Sequence, residues 1–133
     1  MGSIVRFSEA ASIAVYGTIL IAKSENFLNV TKIADLLGGS RHHVAKIMQR
    51  LAKDGYIRSM RGPTGGFVMV KKPEKVTFLD LYESIEGKVN VGEEPLHHQE
   101  IISKEKSFHN TILPKMSKDF VEYMEKQYLS DYL

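Results

Sequence analysis

The chain has 133 residues, 43% hydrophobic and 26% charged, which gives enough apolar material for one compact core and too little length for two full domains. It contains no cysteine, excluding disulfides, thiolate nucleophiles and every metal or iron–sulfur site that needs cysteine sulfur. The net charge of +2 is unevenly placed: residues 1–75 carry 12 Lys and Arg against 5 Asp and Glu, residues 76–133 carry 6 against 11, and the basic front half suits a polyanion.

Residues 8–24 read as a long first helix whose apolar residues, among them Ala11, Ile13, Ala14, Val15, Ile19 and Leu20, cover more than one face. Such a helix is buried or shared with a partner. Thr31 offers a cap to a short second helix with Ile33, Ala34, Leu36 and Leu37 inward, and Gly38-Gly39 stops it. Ser40 caps a third, over residues 41–54, in which Val44, Ile47, Met48 and Leu51 fall at i, i+3, i+4 and i+7. Its other face is basic and polar: Arg41, His42, Lys46, Gln49, Arg50 and Lys53, with Gly55 just past its end.

Two β-like runs, 56–60 and 67–70, flank Arg61-Gly62-Pro63-Thr64-Gly65-Gly66, the pattern of a hairpin with an enlarged tip. After Pro73, Thr77 and Asp80 form a capping-box-like start for a helix ending at Gly87, with Leu79, Leu81, Tyr82 and Ile85 on its apolar side. Residues 88–107 read as a loop with one helical turn around Ile101-Ile102. A last amphipathic helix carries Phe108, Ile112, Met116, Phe120, Tyr123, Met124 and Tyr128 near one face; Pro114 either kinks it or sits in its first turn. The fold expected is mainly α with a small β-hairpin (α+β): a winged helix-turn-helix over residues 1–75, then a helical linker, a sensor-like loop and a dimerisation helix over 76–133.

In such an order of elements, the capped basic helix can enter a major groove about 12 Å wide, with side chains near its N-terminus reaching base edges. Thr31, Ser40, Arg41, His42, His43, Lys46, Gln49 and Arg50 are the candidate contacts there. Arg41 has the fork of donors that matches guanine O6 and N7. Adjacent helical residues point about 100° apart, so at most one of His42 and His43 faces DNA squarely. In the hairpin, Arg61 is placed to reach a minor groove or a phosphate, supported by Arg58, Ser59 and Thr64. Gly62, Gly65 and Gly66 permit close approach, and Pro63 stiffens the tip. The solvated outer face of a core helix, or a plain hairpin turn with an exposed arginine, would give each half of this pattern separately.

Residues 40–87, SRHHVAKIMQRLAKDGYIRSMRGPTGGFVMVKKPEKVTFLDLYESIEG, resemble the Rrf-two family of bacterial transcription regulators, and the likeness extends to the long first helix and to the closing YLSDYL. The lack of a membrane-length apolar run and of a signal-peptide pattern makes a cytoplasmic protein the expectation. The resemblance implies a homodimer in which the C-terminal helices, through the Phe108 to Tyr128 face, cross one another and two recognition helices address a palindrome. It also implies DNA contacts from the helix that starts at Ser40 and from Ser59, Arg61, Gly62 and Gly65. A repressor is the regulator expected.

Many sensing members of that family hold an iron–sulfur cluster on three cysteines in the region matching residues 88–110. This chain has none, so no cysteine-ligated cluster is possible and no cofactor is expected. His97, His98, Glu100 and His109 stand there instead; such imidazoles and a carboxylate suit zinc, nickel or ferrous iron, although two histidines on a loop are more often just exposed. GxxxxGK[ST], HExxH and GxSxG motifs are absent, and Glu83 with Glu86 lacks a partner motif, so a non-enzyme is expected. With no apolar run of about 18 residues, no membrane is expected to be involved. The alternative to a double-stranded-DNA reader is a metal- or small-ligand-sensing protein that acts mainly through a protein partner.

Overall fold

A computed structural model describes residues 7–89 and 101–133. Its first helix, α1 (Glu9–Lys23), is capped by Ser8, whose hydroxyl accepts from the Ala11 amide at 3.0 Å. Helices α2 (Val30–Leu37) and α3 (Arg41–Lys53) follow. Gly38 at φ 74° ends α2 in the left-handed conformation that glycine takes without strain, and Ser40 reopens the chain into α3 with its hydroxyl accepting from the His43 amide at 3.0 Å. Where α1 crosses α3, a Cβ at Gly17 would lie 2.7 Å from the Met48 methyl, so a larger residue there would displace the end of that side chain.

The cap of α2 is not Thr31. Asn29 holds that position, its side-chain oxygen accepting from the Lys32 amide at 2.8 Å, and Thr31 lies exposed within the first turn. The reason is tertiary. Leu28 pairs with Phe67 of the hairpin, which keeps the chain extended through residue 29, and a cap residue must itself be extended.

The hairpin consists of β1 (Ile57–Met60) and β2 (Gly66–Met69), antiparallel, with Ile57 opposite Met69 and Met60 opposite Gly66. Helix α4 (Phe78–Glu86) begins with a complete capping box: the Thr77 hydroxyl accepts from the Asp80 amide at 3.1 Å and the Asp80 carboxylate from the Thr77 amide at 2.9 Å. One core joins these elements: Ala14 and Ile21 of α1, Ile33 of α2, Val44, Met48 and Leu51 of α3, Ile57 and Phe67 of the hairpin, and Val76, Leu81 and Leu129. Each such aliphatic side chain contributes roughly 1.5–3 kcal/mol on full burial.

The last helix, α5 (Ile112–Met124), is shorter at both ends than its apolar pattern suggests. Phe108 lies in the turn before it, and Tyr128 lies beyond it, opening a short 3-10 turn, Leu129–Tyr132. The chain leaves the helix because it finds backbone partners elsewhere. Gln127 accepts from the Phe78 amide at 2.8 Å, the Leu129 amide donates to Val76 at 2.8 Å, and Leu129 is fully buried. Pro114 sits in the first turn of α5, where amides have no intrahelical acceptor and the missing N–H costs little.

Candidate nucleic-acid interface

At about 100° per residue, the buried stripe Val44, Ile47, Met48 and Leu51 turns His42, Lys46, Gln49 and Lys53 to the opposite side of α3, where all four are exposed. Arg41 is exposed on the first turn and flanks this face. Arg50 is exposed on the other flank, and its Nε donates to the Asp54 carboxylate at 3.3 Å. The two adjacent histidines part company, as their angle demands. His42 is exposed, whereas His43 is half-buried, with Nδ1 3.6 Å from the Glu9 carboxylate of α1. The polar face of α3 that points away from the core therefore contains His42 and not His43.

In the wing, Arg61, Gly62, Pro63 and Thr64 are exposed, and each glycine has a separate geometric reason. Gly62 takes φ 113° at the tip. Gly65 passes so close to the end of β1 that a Cβ would meet the Met60 carbonyl oxygen at 2.1 Å. Gly66 takes φ 147°, and a Cβ there would meet Leu28 at 2.5 Å. Arg58 is held on its strand by Phe27, whose ring centroid lies 5.3 Å from the guanidinium carbon. Between the wing and the start of α2 runs a groove of about 330 Å³, lined by Asn29, Val30, Ser59, Arg61, Gly62 and Phe67. Ser59, Arg61, Gly62, Pro63, Gly65 and Gly66 thus share one surface with the N-terminus of α2.

At the far end of α3, Asp54 accepts from Arg50 and from the hydroxyl of Ser84. The Ser84 hydrogen bond, foremost, holds the carboxyl below its ordinary range; burial works the other way, and the charge of Arg50 adds to the lowering. Tyr56, next to this corner, has its phenol pushed up by burial and then by the carboxylates of Asp80, Asp54 and Glu83. The Lys71 ammonium lies 4.3 Å from the Tyr56 ring centroid, a second cation held over an aromatic face on the hairpin. Phe27, Leu28, Asn29, Asp54 and Ser84 support the surface without appearing in the sequence pattern. Only Asn29 left a local signal, since Asn ranks above Thr as a cap.

On the C-terminal side, Phe108, Ile112, Tyr123 and Tyr128 are exposed, and Met116 and Phe120 are half-buried. Met124 is 6% exposed and belongs to this chain's own interior rather than to an outer face. Phe120 packs with Phe7 and Tyr82, ring centroids 6.1 and 5.0 Å away, beside a hollow of about 400 Å³.

A family model, Rrf2, described as an iron-dependent transcriptional regulator, matches residues 7–133. The chain belongs to the Rrf2 family. An HTH-type transcriptional regulator of Aquifex aeolicus is 33% identical to this Rrf2 chain over 78 residues, 58% of this chain and 54% of that protein. The HTH-type transcriptional regulator NsrR of Bacillus licheniformis is 31% identical over 70 residues, 53% of this chain and 49% of that one. The chain spans about half the length of the curated relatives it matches. These relatives are named as transcriptional regulators, not enzymes.

Among solved structures, CymR, the global cysteine regulator of B. subtilis, superposes with a TM-score of 0.76 at 21% identity, covering 96% of this chain and 95% of that one. IscR of T. potens superposes at 0.74 and 20% identity, covering 96% and 85%. The shared architecture is the winged helix-turn-helix of Rrf2 proteins, here five α-helices with a two-stranded hairpin among the described residues.

The iron in the family's description does not fit the donors described here. The chain has no thiolate to offer, and among the described residues no group of three or more His, Asp or Glu is arranged to hold a metal ion. His109 packs its ring against Phe108, with centroids 4.5 Å apart; His97, His98 and Glu100 lie outside the described residues. No described helix is long and apolar enough to cross a membrane.

Proposed function

We propose that this Rrf2 chain is a homodimeric, sequence-specific DNA-binding repressor of the cytoplasm. It reads a palindromic site with the outward face of α3 and with the Arg61 wing. The observation that carries the reading is the pairing of two exposed basic features on one rigid frame. His42, Lys46, Gln49 and Lys53 point away from the core on a capped helix, and the wing's base is hydrogen-bonded to the segment that opens α2. A good bidentate contact from Arg41 to guanine would discriminate by about 1–3 kcal/mol, and phosphate contacts from the lysines and Arg61 would supply the salt-sensitive share of the affinity.

Dimerisation is assigned to the exposed apolar side chains Phe108, Ile112 and Tyr123 together with the half-buried Met116 and Phe120, since exposed residues of this size mark association surfaces. Two copies related by a two-fold axis would present their recognition helices about one DNA turn apart. The signal, in this reading, enters without a cysteine-ligated cluster.

Selection of DNA from a random pool by the purified chain, followed by sedimentation of the complex, tests the proposal. A palindromic consensus bound by two chains is the expected result. A chain that sediments as a monomer and selects an asymmetric site, or none, overturns it.

A further inference from the structure

Two described helix positions carry a buried hydroxyl that needs a partner, and they meet that need differently. Thr18, fully buried in α1, donates to the Ala14 carbonyl one turn back, the ordinary outlet for a hydroxyl within a helix. Ser84, the buried polar residue of α4, instead crosses to α3 and donates to Asp54. The same carboxylate oxygen, Oδ2, accepts from Arg50 Nε at 3.3 Å. Asp54 is the residue that ends α3, so this oxygen joins the last turn of the recognition helix to the middle of α4.

A carboxylate fixed in this way does more than neutralise a neighbour. Arg50 is engaged through Nε alone, and its two terminal amino groups have no hydrogen-bond partner among the described residues. Held by one edge, a guanidinium presents the other edge outward, the geometry in which it meets a phosphate bidentately. An arginine already ordered loses less rotamer freedom when it binds.

We propose that Ser84 and Asp54 are positioning residues for DNA binding: Ser84 anchors the Asp54 carboxylate, and the carboxylate orients Arg50 toward a backbone phosphate. Neither residue touches DNA. The inference rests on the DNA-binding reading above, and it makes α4, the helix that leads into residues 88–107, a support of the recognition helix.

A double-mutant cycle on the full chain tests it, with fluorescence anisotropy on the site selected in vitro for wild type, Ser84→Ala, Arg50→Ala and the double variant, after melting curves show each to be folded. Ser84→Ala is expected to weaken binding about 3- to 10-fold in the wild-type background and less than about 1.5-fold when Arg50 is already alanine. A hydroxyl that merely stabilised the fold would give the same loss in both backgrounds, and that result, or no loss at all, overturns the proposal alone. Should the alanine variant not fold, Ser84→Cys, close in volume and a weak donor, is put through the same cycle. Failure of the wild type to select any DNA overturns the DNA-binding reading and this proposal together.

Discussion

Leu28 and Phe67 exchange both of their backbone hydrogen bonds, at 3.0 and 2.9 Å, so the residue just before the cap of α2 runs alongside β2. The wing is therefore not a free hairpin. Its base is fastened to the helix-turn-helix, and a displacement of one moves the other.

Gly66 is the position that this bridge constrains most. Its φ of 147° and the 2.5 Å approach of a would-be Cβ to Leu28 mean that Gly66→Ala must either strain the backbone or break the pairing. The expected cost is about 1–3 kcal/mol, a fall in melting temperature of roughly 3–15 °C for a chain of this size. Gly62→Ala, at φ 113° but with nothing within 4 Å of the added Cβ, should cost less. Thermal unfolding followed by circular dichroism compares them, and equal losses would remove the close contact as the cause.

Arg61 is exposed, and among the described residues its side chain makes no hydrogen bond or ion pair, so Arg61→Ala should leave the melting temperature within about 2 °C of wild type. Binding to the selected DNA should weaken about 10-fold, and the slope of log affinity against log salt should fall by about 1 per arginine removed. An unchanged slope with unchanged affinity would detach the wing from DNA reading.

The two candidate caps of α2 separate cleanly. Asn29→Ala removes the acceptor of the Lys32 amide and should cost about 1 kcal/mol. Thr31→Ala, at an exposed position inside the first turn, should change stability by less than about 0.5 kcal/mol. Urea unfolding of the two variants is the measurement, and a larger loss at Thr31 would reverse the assignment.

Asp54 links stability to pH. Its carboxyl is held below the ordinary 3.8, mainly by the Ser84 hydrogen bond, so the stability it contributes is present above 3.8 and is lost as pH falls through its lower folded value. Ser84→Ala lets that value climb back. The stability gap between wild type and Ser84→Ala should be full above about pH 5 and shrink as pH drops through 3.8. Urea unfolding at a series of pH values measures the gap, and a gap independent of pH would show that the hydroxyl acts without the carboxylate's charge.

Much of the frame was legible from residues alone because its signals are local. Ser40 followed by the Val44, Ile47, Met48 and Leu51 stripe, the Thr77 and Asp80 box, and glycines at 38, 55 and 87 each act within one helical turn, and all appear in the structure at those positions. The outward side of α3 followed from the same stripe. The ends of α5 were not legible, because Phe108 and Tyr128 continue the apolar pattern while the chain itself departs to pair with Val76 and Phe78.

By itself, the sequence determined the order of elements, the basic character of the recognition face and the absence of any thiolate, since periodicity, capping chemistry and composition need no distant partner. Only the tertiary structure decided which candidate cap is used, that His43 turns to Glu9 while His42 stays outside, that Met124 faces inward, and that Ser84 of α4 reaches the Asp54 carboxylate. Each of those outcomes depends on a group 30 or more residues away in the chain, or on a competition between near-equal local choices that one long-range backbone pairing resolves.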